Sequence, residues 1–462
     1  MPYSINYIIF ALANQSVLLM RPQIFSRLTR PMMFFSIFFD MIIECVICQT
    51  RKQVSRNMLL KYDSSGHYVR SRMKTVWLIL GILLVAANLR AAITGLGPLV
   101  DAIRLETHLS NTVTGMLTAL PLLAFAALSP VAPKISRKIG MEMTLFLSMI
   151  VLIVGILLRS YASVVTLFMG TIIIGLAIAI GNVLLPGLVK RDFPEHVGFM
   201  TGAYSVSMNV FGALASGISV PLSVGAGLGW RGSLASWAVL GGLAALFWLP
   251  QLRSRQAAST AGGGGSIWRS SLAWQVTLFM GLQSWLFYIN AAWLPEILHS
   301  RGMSVSAAGW MLSAMQFVSL PVSFIVPILA GRSSNQRGIV IVTVLFHLIG
   351  YLGLLSGNTS LIWLWIICIG IAVGSSISLA LAFFGLRTQN ARQAAELSGM
   401  AQSVGYLLAA FGPVLFGFLH DVTNTWAIPL LITVAASLLL LSVGLGAGRN
   451  AYVTAGSKKE SS

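Results

Sequence analysis

Long apolar runs separated by short polar turns repeat along the chain from Met73 onward. Each run has about the twenty residues that an α-helix needs to cross the roughly 30 Å hydrocarbon core of a bilayer. The pattern predicts twelve spans, at residues 76–98, 113–133, 141–159, 163–189, 199–224, 232–250, 273–295, 304–330, 338–356, 361–386, 396–419 and 426–447. The sequence therefore predicts an all-α polytopic membrane protein.

The basic residues fall in the turns rather than in one patch. The turns on one side of the predicted membrane carry sixteen Lys and Arg residues, among them Lys134, Arg137, Lys190 and Arg332, and the other side carries four. By the positive-inside rule this basic side is cytoplasmic, and both termini of the chain from Met73 are inside. Because topology accounts for the net charge of +18, nucleic acid is not an expected partner. The 9% of charged residues, against about 25% in soluble domains, also favours a membrane protein.

The first seventy residues differ from the rest of the chain. The run 31–48 is apolar but short, and it contains Asp40 and Glu44. It is either an extra membrane helix or a segment upstream of a natural start at Met73, and the carboxylates favour the second interpretation. We expect an extension (1–72), two helical halves (73–250 and 273–447), a Gly-rich cytoplasmic linker (251–272) and a tail (448–462). The C-x-x-C of Cys45 and Cys48 lacks the partners of a zinc or redox site.

The two halves repeat each other at an offset of about 195 residues. Pro98 matches Pro295, Gly115 matches Gly309, and a basic turn follows each glycine-containing span. Further along, Gly202 in TGAYS matches Gly399 in SGMAQS. Parallel six-span repeats predict two pseudo-symmetric six-helix bundles with a binding site between them at the membrane midplane.

Arg90 lies inside the first span, VWLILGILLVAANLRAAITGLGP (76–98). At about 1.5 Å per residue it is roughly 21 Å into a helix that starts at Val76, somewhat past the middle of the membrane. A central arginine costs on the order of 3 kcal/mol on insertion scales, and such residues usually serve function. Its planar, permanently charged guanidinium suits a polar or anionic solute. The alternative is a structural arginine bonded to carbonyls of a neighbouring helix.

Five long motifs carry a resemblance to a known family: NLRAAITGLGPL (88–99), LTALPLLAFAALSP (117–130), GNVLLPGLVKRDFP (181–194), IWRSSLAWQVTLF (267–279) and LSGMAQSVGYLLAAFGP (397–413). On these the chain from Met73 to about Arg449 resembles the cyanate and 2-nitroimidazole transporter group of the major facilitator superfamily, and its 2-nitroimidazole branch most. The resemblance implies a bacterial inner-membrane transporter, monomeric and without a cofactor, that moves a small molecule. The turn 134–140 keeps the family's basic residues but lacks its acidic one, which questions the gating contact made there.

The resemblance also implies that the first, fourth, seventh and tenth spans line the cavity. The substrate-binding candidates are polar or aromatic residues: Arg90 and Thr94 in the first span, Asn182 in the fourth, Gln283, Tyr288 and Asn290 in the seventh, and, as second-rank candidates, Gln316, Gln402 and Tyr406. Asn182 is equally explained as an interhelical contact, and the seventh-span residues by packing. Pro186 is predicted to bend its helix and to free a backbone carbonyl.

Acidic residues after Met73 occur only in turns or at span ends. We therefore predict that any proton coupling does not use a buried Asp or Glu. His347 is the titratable alternative, although a packing role is the simpler interpretation. The motifs of metalloproteases, P-loop ATPases and serine hydrolases are absent from the sequence, which argues against an enzyme. The sequence thus predicts secondary transport of a cyanate- or 2-nitroimidazole-like solute by alternating access around Arg90, with a broader drug exporter as the alternative.

Overall fold

The structure is a computed structural model, and it describes residues 67–109, 111–161, 163–253 and 267–453. The chain divides into two compact units, Met1–Met73 and Lys74–Ser462. Of the first unit only His67–Met73, the start of a helix, is described, so the predictions for residues 1–66 lie outside the described residues. Most of the predicted linker and tail, residues 254–266 and 454–462, lies outside them as well.

Fourteen α-helices occupy the described residues. They are α1 His67–Thr94, α2 Val100–Thr107, α3 Asn111–Leu128, α4 Ala132–Ile139, α5 Met141–Arg159, α6 Val164–Asp192, α7 Val197–Val220, α8 Gly229–Trp248, α9 Ser271–His299, α10 Val305–Arg332, α11 Arg337–Leu355, α12 Ile362–Leu386, α13 Ala391–Thr423 and α14 Ala427–Ala447. All except the eight-residue α2 overlap one of the twelve predicted spans, and the eight-residue α4 does so at Ala132 and Pro133 only. By length and composition, ten of the described helices can cross a membrane, or eleven if the bent pair α3–α4 counts as one span.

Two spans differ from the simple prediction. The predicted span 113–133 ends at Leu128, and the chain bends by 55° before α4, because Pro130 and Pro133 cannot donate the backbone hydrogen bonds that continue a helix. The other is α9, which is 29 residues long but less apolar than the ten. Gln275, Gln283 and Asn290, together with Trp and Tyr side chains, lower its hydropathy, as is common for a helix that meets polar groups inside a bundle.

The two predicted halves pack in the same way. In the first half α5 contacts α6 and α8, and α3 contacts α6; in the second half α11 contacts α12 and α14, and α10 contacts α12. Hydrogen bonds join α1 to α7 and α8, just as α9 packs against α13 and α14. The internal repeat in the sequence is therefore a repeat in packing.

Matched glycines bring the halves together. A Cβ on Gly202 of α7 would lie 2.8 Å from the Phe324 carbonyl oxygen of α10, and one on Gly399 of α13 would lie 2.7 Å from that of Ser129 after α3. Real side chains do not approach a carbonyl so closely, so these crossings require glycine. The pairs α7–α10 and α13–α3 are thus related by the repeat and form the interface between the halves.

The closest inter-half contacts in the described residues lie toward the basic side. Gly198 and Gly331, at the basic ends of α7 and α10, have their Cα atoms so close that a Cβ on Gly331 would lie 3.1 Å from Gly198 Cα. Arg137 of α4 pairs with Glu396 of α13 at 2.8 Å. The turn 134–140 has no acidic residue of its own, so Glu396 of the second half is the acidic partner of this arginine. The two halves are therefore in close contact at their basic side.

Candidate functional site

Arg90 lies deep inside the apolar stretch of α1. The apolar part of its helix begins at Thr75, so Arg90 lies about 22 Å along the axis at 1.5 Å per residue. Its side chain is half-buried and faces the second half of the molecule, because its Cζ atom lies 5.2 Å from the ring centre of Phe287 on α9. This distance is within cation–π range.

Aromatic side chains from three helices surround the guanidinium. The phenol groups of Tyr288 on α9 and Tyr406 on α13 lie within electrostatic range of Arg90. The ring of Tyr406 packs at 4.9 Å against Phe125 of α3, and Phe287 meets Tyr288 edge to face at 5.2 Å. We call these five residues the Arg90 cluster. It joins side chains from both halves.

Among the described residues, no Asp or Glu forms an ion pair with the positive charge of the Arg90 cluster. In the described part of the chain the ion pairs of Asp and Glu are with other residues, all of them toward the ends of the helices. A guanidinium without a carboxylate partner, within electrostatic range of two phenol groups, offers hydrogen-bond donors to an anion or to a group with partly negative oxygens. The half-buried state of Arg90, Phe287, Tyr288 and Tyr406 leaves these groups accessible to a solute.

Hydrogen bonds fix the end of α1 that carries Arg90 to α7. The Thr94 hydroxyl donates to the Gly212 carbonyl at 2.9 Å, and the Ser216 hydroxyl donates to the Thr94 carbonyl at 3.1 Å. Ser219 donates to the carbonyl of Gly95 at 2.9 Å. Thr94, a predicted solute contact, is therefore used to position α1, and Arg90 is held rigidly within the first half.

Arg159, one of the four basic residues that the sequence places on the less basic side, adds a second anchor. It is only 1% exposed, and its Nη1 donates to the Ala92 carbonyl at 2.7 Å, close to the end of α1. A cation at the carboxyl end of a helix is favourable because the last carbonyls lack partners there. Its position at the last residue of an apolar span is the sequence signal that could have pointed to this role.

The two predicted amides of α9 lie away from the Arg90 cluster. Gln283 is buried and donates to the Ser284 hydroxyl and the Met280 carbonyl. Asn290 is 3% exposed and donates to the Tyr351 hydroxyl of α11 at 2.7 Å. Asn290 therefore joins α9 to α11, whereas the bonds of Gln283 stay within α9.

The remaining candidates fall into two groups. Asn182 and Gln402 are joined, since the Gln402 amide donates to the Asn182 backbone carbonyl at 2.9 Å, the carbonyl that Pro186 was predicted to free. Gln316 is on the exposed face of α10, and the contacts of the described residues do not link it to the Arg90 cluster. His347 is fully buried and stacks on Tyr351 at 5.7 Å.

Phe125 is a site residue that sequence reasoning missed. The sequence places Phe287 on the helical face that it shares with Gln283 and Asn290, but an apolar ring in an apolar span gives no reason to rank it above them. Phe125 stands in the motif LTALPLLAFAALSP (117–130), which carried the family resemblance without indicating this residue. Only the packing of α3 against α13 brings its ring to Tyr406.

Asn290 and Tyr288 are expected to respond differently to substitution. Asn290→Ala leaves the buried Tyr351 hydroxyl without its donor, so the free energy of unfolding should fall by about 1–3 kcal/mol, with little change in solute affinity. Tyr288→Phe removes one hydroxyl from the Arg90 cluster and should weaken solute binding with little change in stability. Thermal unfolding and equilibrium binding on both purified variants measure this. Loss of affinity at unchanged stability in Asn290→Ala would instead return Asn290 to the binding site.

Comparison with known proteins agrees with this architecture. The profile of the Major Facilitator Superfamily matches residues 78–413. The uncharacterized transporter YycB of Bacillus subtilis (strain 168) is 50% identical over 399 residues, which cover 86% of this chain and 99% of that protein. The 2-nitroimidazole transporter of Escherichia coli (strain K12) is 45% identical over 377 residues, covering 81% and 95%.

Among solved structures, the proton:xylose symporter XylE has a TM-score of 0.69 at 13% identity, over 82% of this chain and 98% of the other, so it shares the fold. The group that the five motifs indicated is thereby confirmed. The chain belongs to the major facilitator superfamily of membrane transporters.

Proposed function

We propose that this protein is a secondary transporter of a small polar or anionic solute, similar to 2-nitroimidazole or cyanate. The observation that supports the proposal most directly is the guanidinium of Arg90, which faces Phe287 across the cleft and has no carboxylate partner in the described part of the chain. The two halves rock about this site and expose it to each side of the membrane in turn. The protein works as a monomer in the bacterial inner membrane, with its basic side in the cytoplasm.

The chemistry of the Arg90 cluster suits such solutes. A nitro group and cyanate both carry negative charge on terminal atoms, and a planar guanidinium can donate two parallel hydrogen bonds to a nitro group. The phenol hydroxyls of Tyr288 and Tyr406 add further donors, and the rings of Phe125 and Phe287 provide faces against which a heteroaromatic ring can stack. The 45% identity to a 2-nitroimidazole transporter favours the ring-containing solute, and with it export.

Binding of matched solutes to the purified protein tests the proposal. We expect 2-nitroimidazole to bind, and imidazole, which lacks the nitro group, to bind at least about ten-fold more weakly, because it loses the two nitro oxygens that accept parallel bonds from Arg90 and keeps one acceptor nitrogen only. Cyanate is the third solute, since it presents the charge without a ring. Uptake of the bound solute is then compared between proteoliposomes that hold the protein in one orientation and in the other. The comparison gives the direction of transport.

Equal binding of imidazole and 2-nitroimidazole would contradict a role for the nitro group. That result would favour the broader drug exporter, for which neutral aromatic compounds would compete at the same site.

The source of driving force is tested in the same vesicles. Because Asp and Glu lie only near the helix ends in the described residues, we expect imposed pH gradients to act through the ionisation of the solute rather than through a buried carboxylate.

A further inference from the structure

Two backbone carbonyls of the first half lack their usual helical donors because proline stands four residues later. In α6, Pro186 has no N–H for the Asn182 carbonyl, and after α3, Pro130 has none for the Ala126 carbonyl. A proline thus leaves a strong acceptor free on the surface of a helix. An unpaired carbonyl inside a membrane protein requires another donor.

Neighbouring residues of the second half supply those donors. The Gln402 amide of α13 donates to the Asn182 carbonyl at 2.9 Å, and the Ser403 hydroxyl donates to the Ala126 carbonyl at 2.7 Å. Both bonds cross between the halves. Gln402 is 1% exposed, and its amide also donates to Ser398 of its own helix at 2.7 Å.

These bonds lie directly next to the Arg90 cluster. Ser403 and Gln402 precede Tyr406 by three and four residues, which is one turn of α13. Ala126 follows Phe125, whose ring packs on Tyr406. Arg137 and Glu396, which pair closer to the basic end, lie on the other side of these bonds. The bonds of Gln402 and Ser403 therefore lie between the Arg90 cluster and the basic ends of the helices, where they form the floor of the site.

We propose that Gln402 and Ser403 are the gating residues that hold the basic side of the cleft closed, and that they release the Asn182 and Ala126 carbonyls when this side opens. We call the two bonds the floor latch. The inference rests on the proposed rocking of the halves but not on the identity of the solute. Since donors and acceptors are uncharged, water entering the opened side can replace each bond without leaving a buried charge. Gln402 therefore acts on the conformational equilibrium rather than as a contact to the solute.

The distance between the basic end of the first half and that of the second half shows whether the floor latch is closed. Spin labels on Lys138→Cys in α4 and Ser334→Cys after α10, both exposed positions, report the separation of the halves once Cys45, Cys48 and Cys368 are replaced by serine. Measurements are made on the full chain in lipid nanodiscs without solute. We expect a short distance to dominate in the parent protein, and the ratio of long to short distances to rise roughly five-fold for each lost bond, in Gln402→Leu and in Ser403→Ala.

Two further variants make the test specific. Ser437→Ala removes a buried hydroxyl of α14 that bonds within its own helix, to Thr433 at 2.7 Å, and should leave the distances unchanged. Pro186→Ala restores an N–H that competes for the Asn182 carbonyl. It should therefore reproduce the effect of Gln402→Leu, and the double variant should show no more than either single one.

Unchanged distances in Ser403→Ala and Pro186→Ala would overturn the latch, and so would a shift of the same size in Ser437→Ala. Ser403→Ala loses one oxygen atom only, so it keeps the test decisive if Gln402→Leu fails to fold. The failure of the proposed solute class would appear separately. In that case 2-nitroimidazole and cyanate fail to bind while the latch variants still lengthen the distances.

Discussion

Replacing Arg90 with lysine or alanine is expected to lower transport by about 10- to 100-fold. The loss corresponds to the roughly 1.5–3 kcal/mol that hydrogen bonds to a charged group contribute. Lysine keeps the charge but cannot form two parallel hydrogen bonds with one group, so Arg90→Lys should lose most of the affinity that Arg90→Ala loses. Solute uptake into proteoliposomes, normalised to the amount of inserted protein, is the measurement.

The control for Arg90 is Arg332→Ala, which removes an equal charge from the exposed end of α10 and should transport normally. Wild-type rates in Arg90→Ala would remove this residue from the mechanism. If Arg90→Ala does not insert into the membrane, Phe287→Leu addresses the same site, because it removes the ring that faces the guanidinium while keeping an apolar side chain.

Substituting the glycines at the helix crossings is expected to lower transport because it prevents the helices from approaching each other, not because it removes a solute contact. A methyl group on Gly198 would overlap the Pro327 carbonyl oxygen, and one on Gly399 would lie 2.7 Å from that of Ser129. Backbone atoms cannot move aside as a side chain can, so Gly198→Ala and Gly399→Ala should prevent closure of the basic side. We expect transport to fall at least about ten-fold, given the 1–3 kcal/mol that overpacking usually costs.

The matched control is Gly217→Ala on α7, the helix that carries Gly198, since its added methyl group meets open space. Solute binding from the side opposite the basic turns should decrease in Gly198→Ala while the protein remains folded, because the closed arrangement of the basic side is lost. Normal transport by Gly198→Ala would show that α7 and α10 do not need this approach during the cycle.

The positions of the spans could be predicted because they depend on local properties, namely length and hydrophobicity. The matched glycines could be found for a related reason, since Gly202 and Gly399 stand at equivalent places in the two repeats. The bend after α3 was missed because an apolar run does not reveal where Pro130 interrupts its helix. The less apolar α9 was still found, since its length compensated for its polar residues.

The site was harder to predict because it depends on how each helix is rotated about its axis. The sequence places Gln283, Phe287 and Asn290 on one broad face of α9, yet only Phe287 and the adjacent Tyr288 reach Arg90. Asn290 turns toward α11, where it meets Tyr351, and Gln283 bonds to residues of α9 itself. Such a rotation is decided by contacts with α11 and α13, which are distant in sequence. For the same reason the free carbonyl before Pro186 was predictable, whereas its donor Gln402 was not.

The anchoring of α1 has a consequence for the transport cycle. Thr94, Ser216, Ser219 and Arg159 tie the arginine to one bundle, whereas Phe287 and both tyrosines belong to the other. In the proposed rocking cycle each reorientation would therefore separate the cation from its aromatic neighbours or change their spacing, so the empty carrier and the loaded carrier would face different barriers. A negatively charged cargo that bridges the two bundles would travel with both, and such a difference in barriers is what allows a carrier to exchange one molecule for another faster than it returns empty.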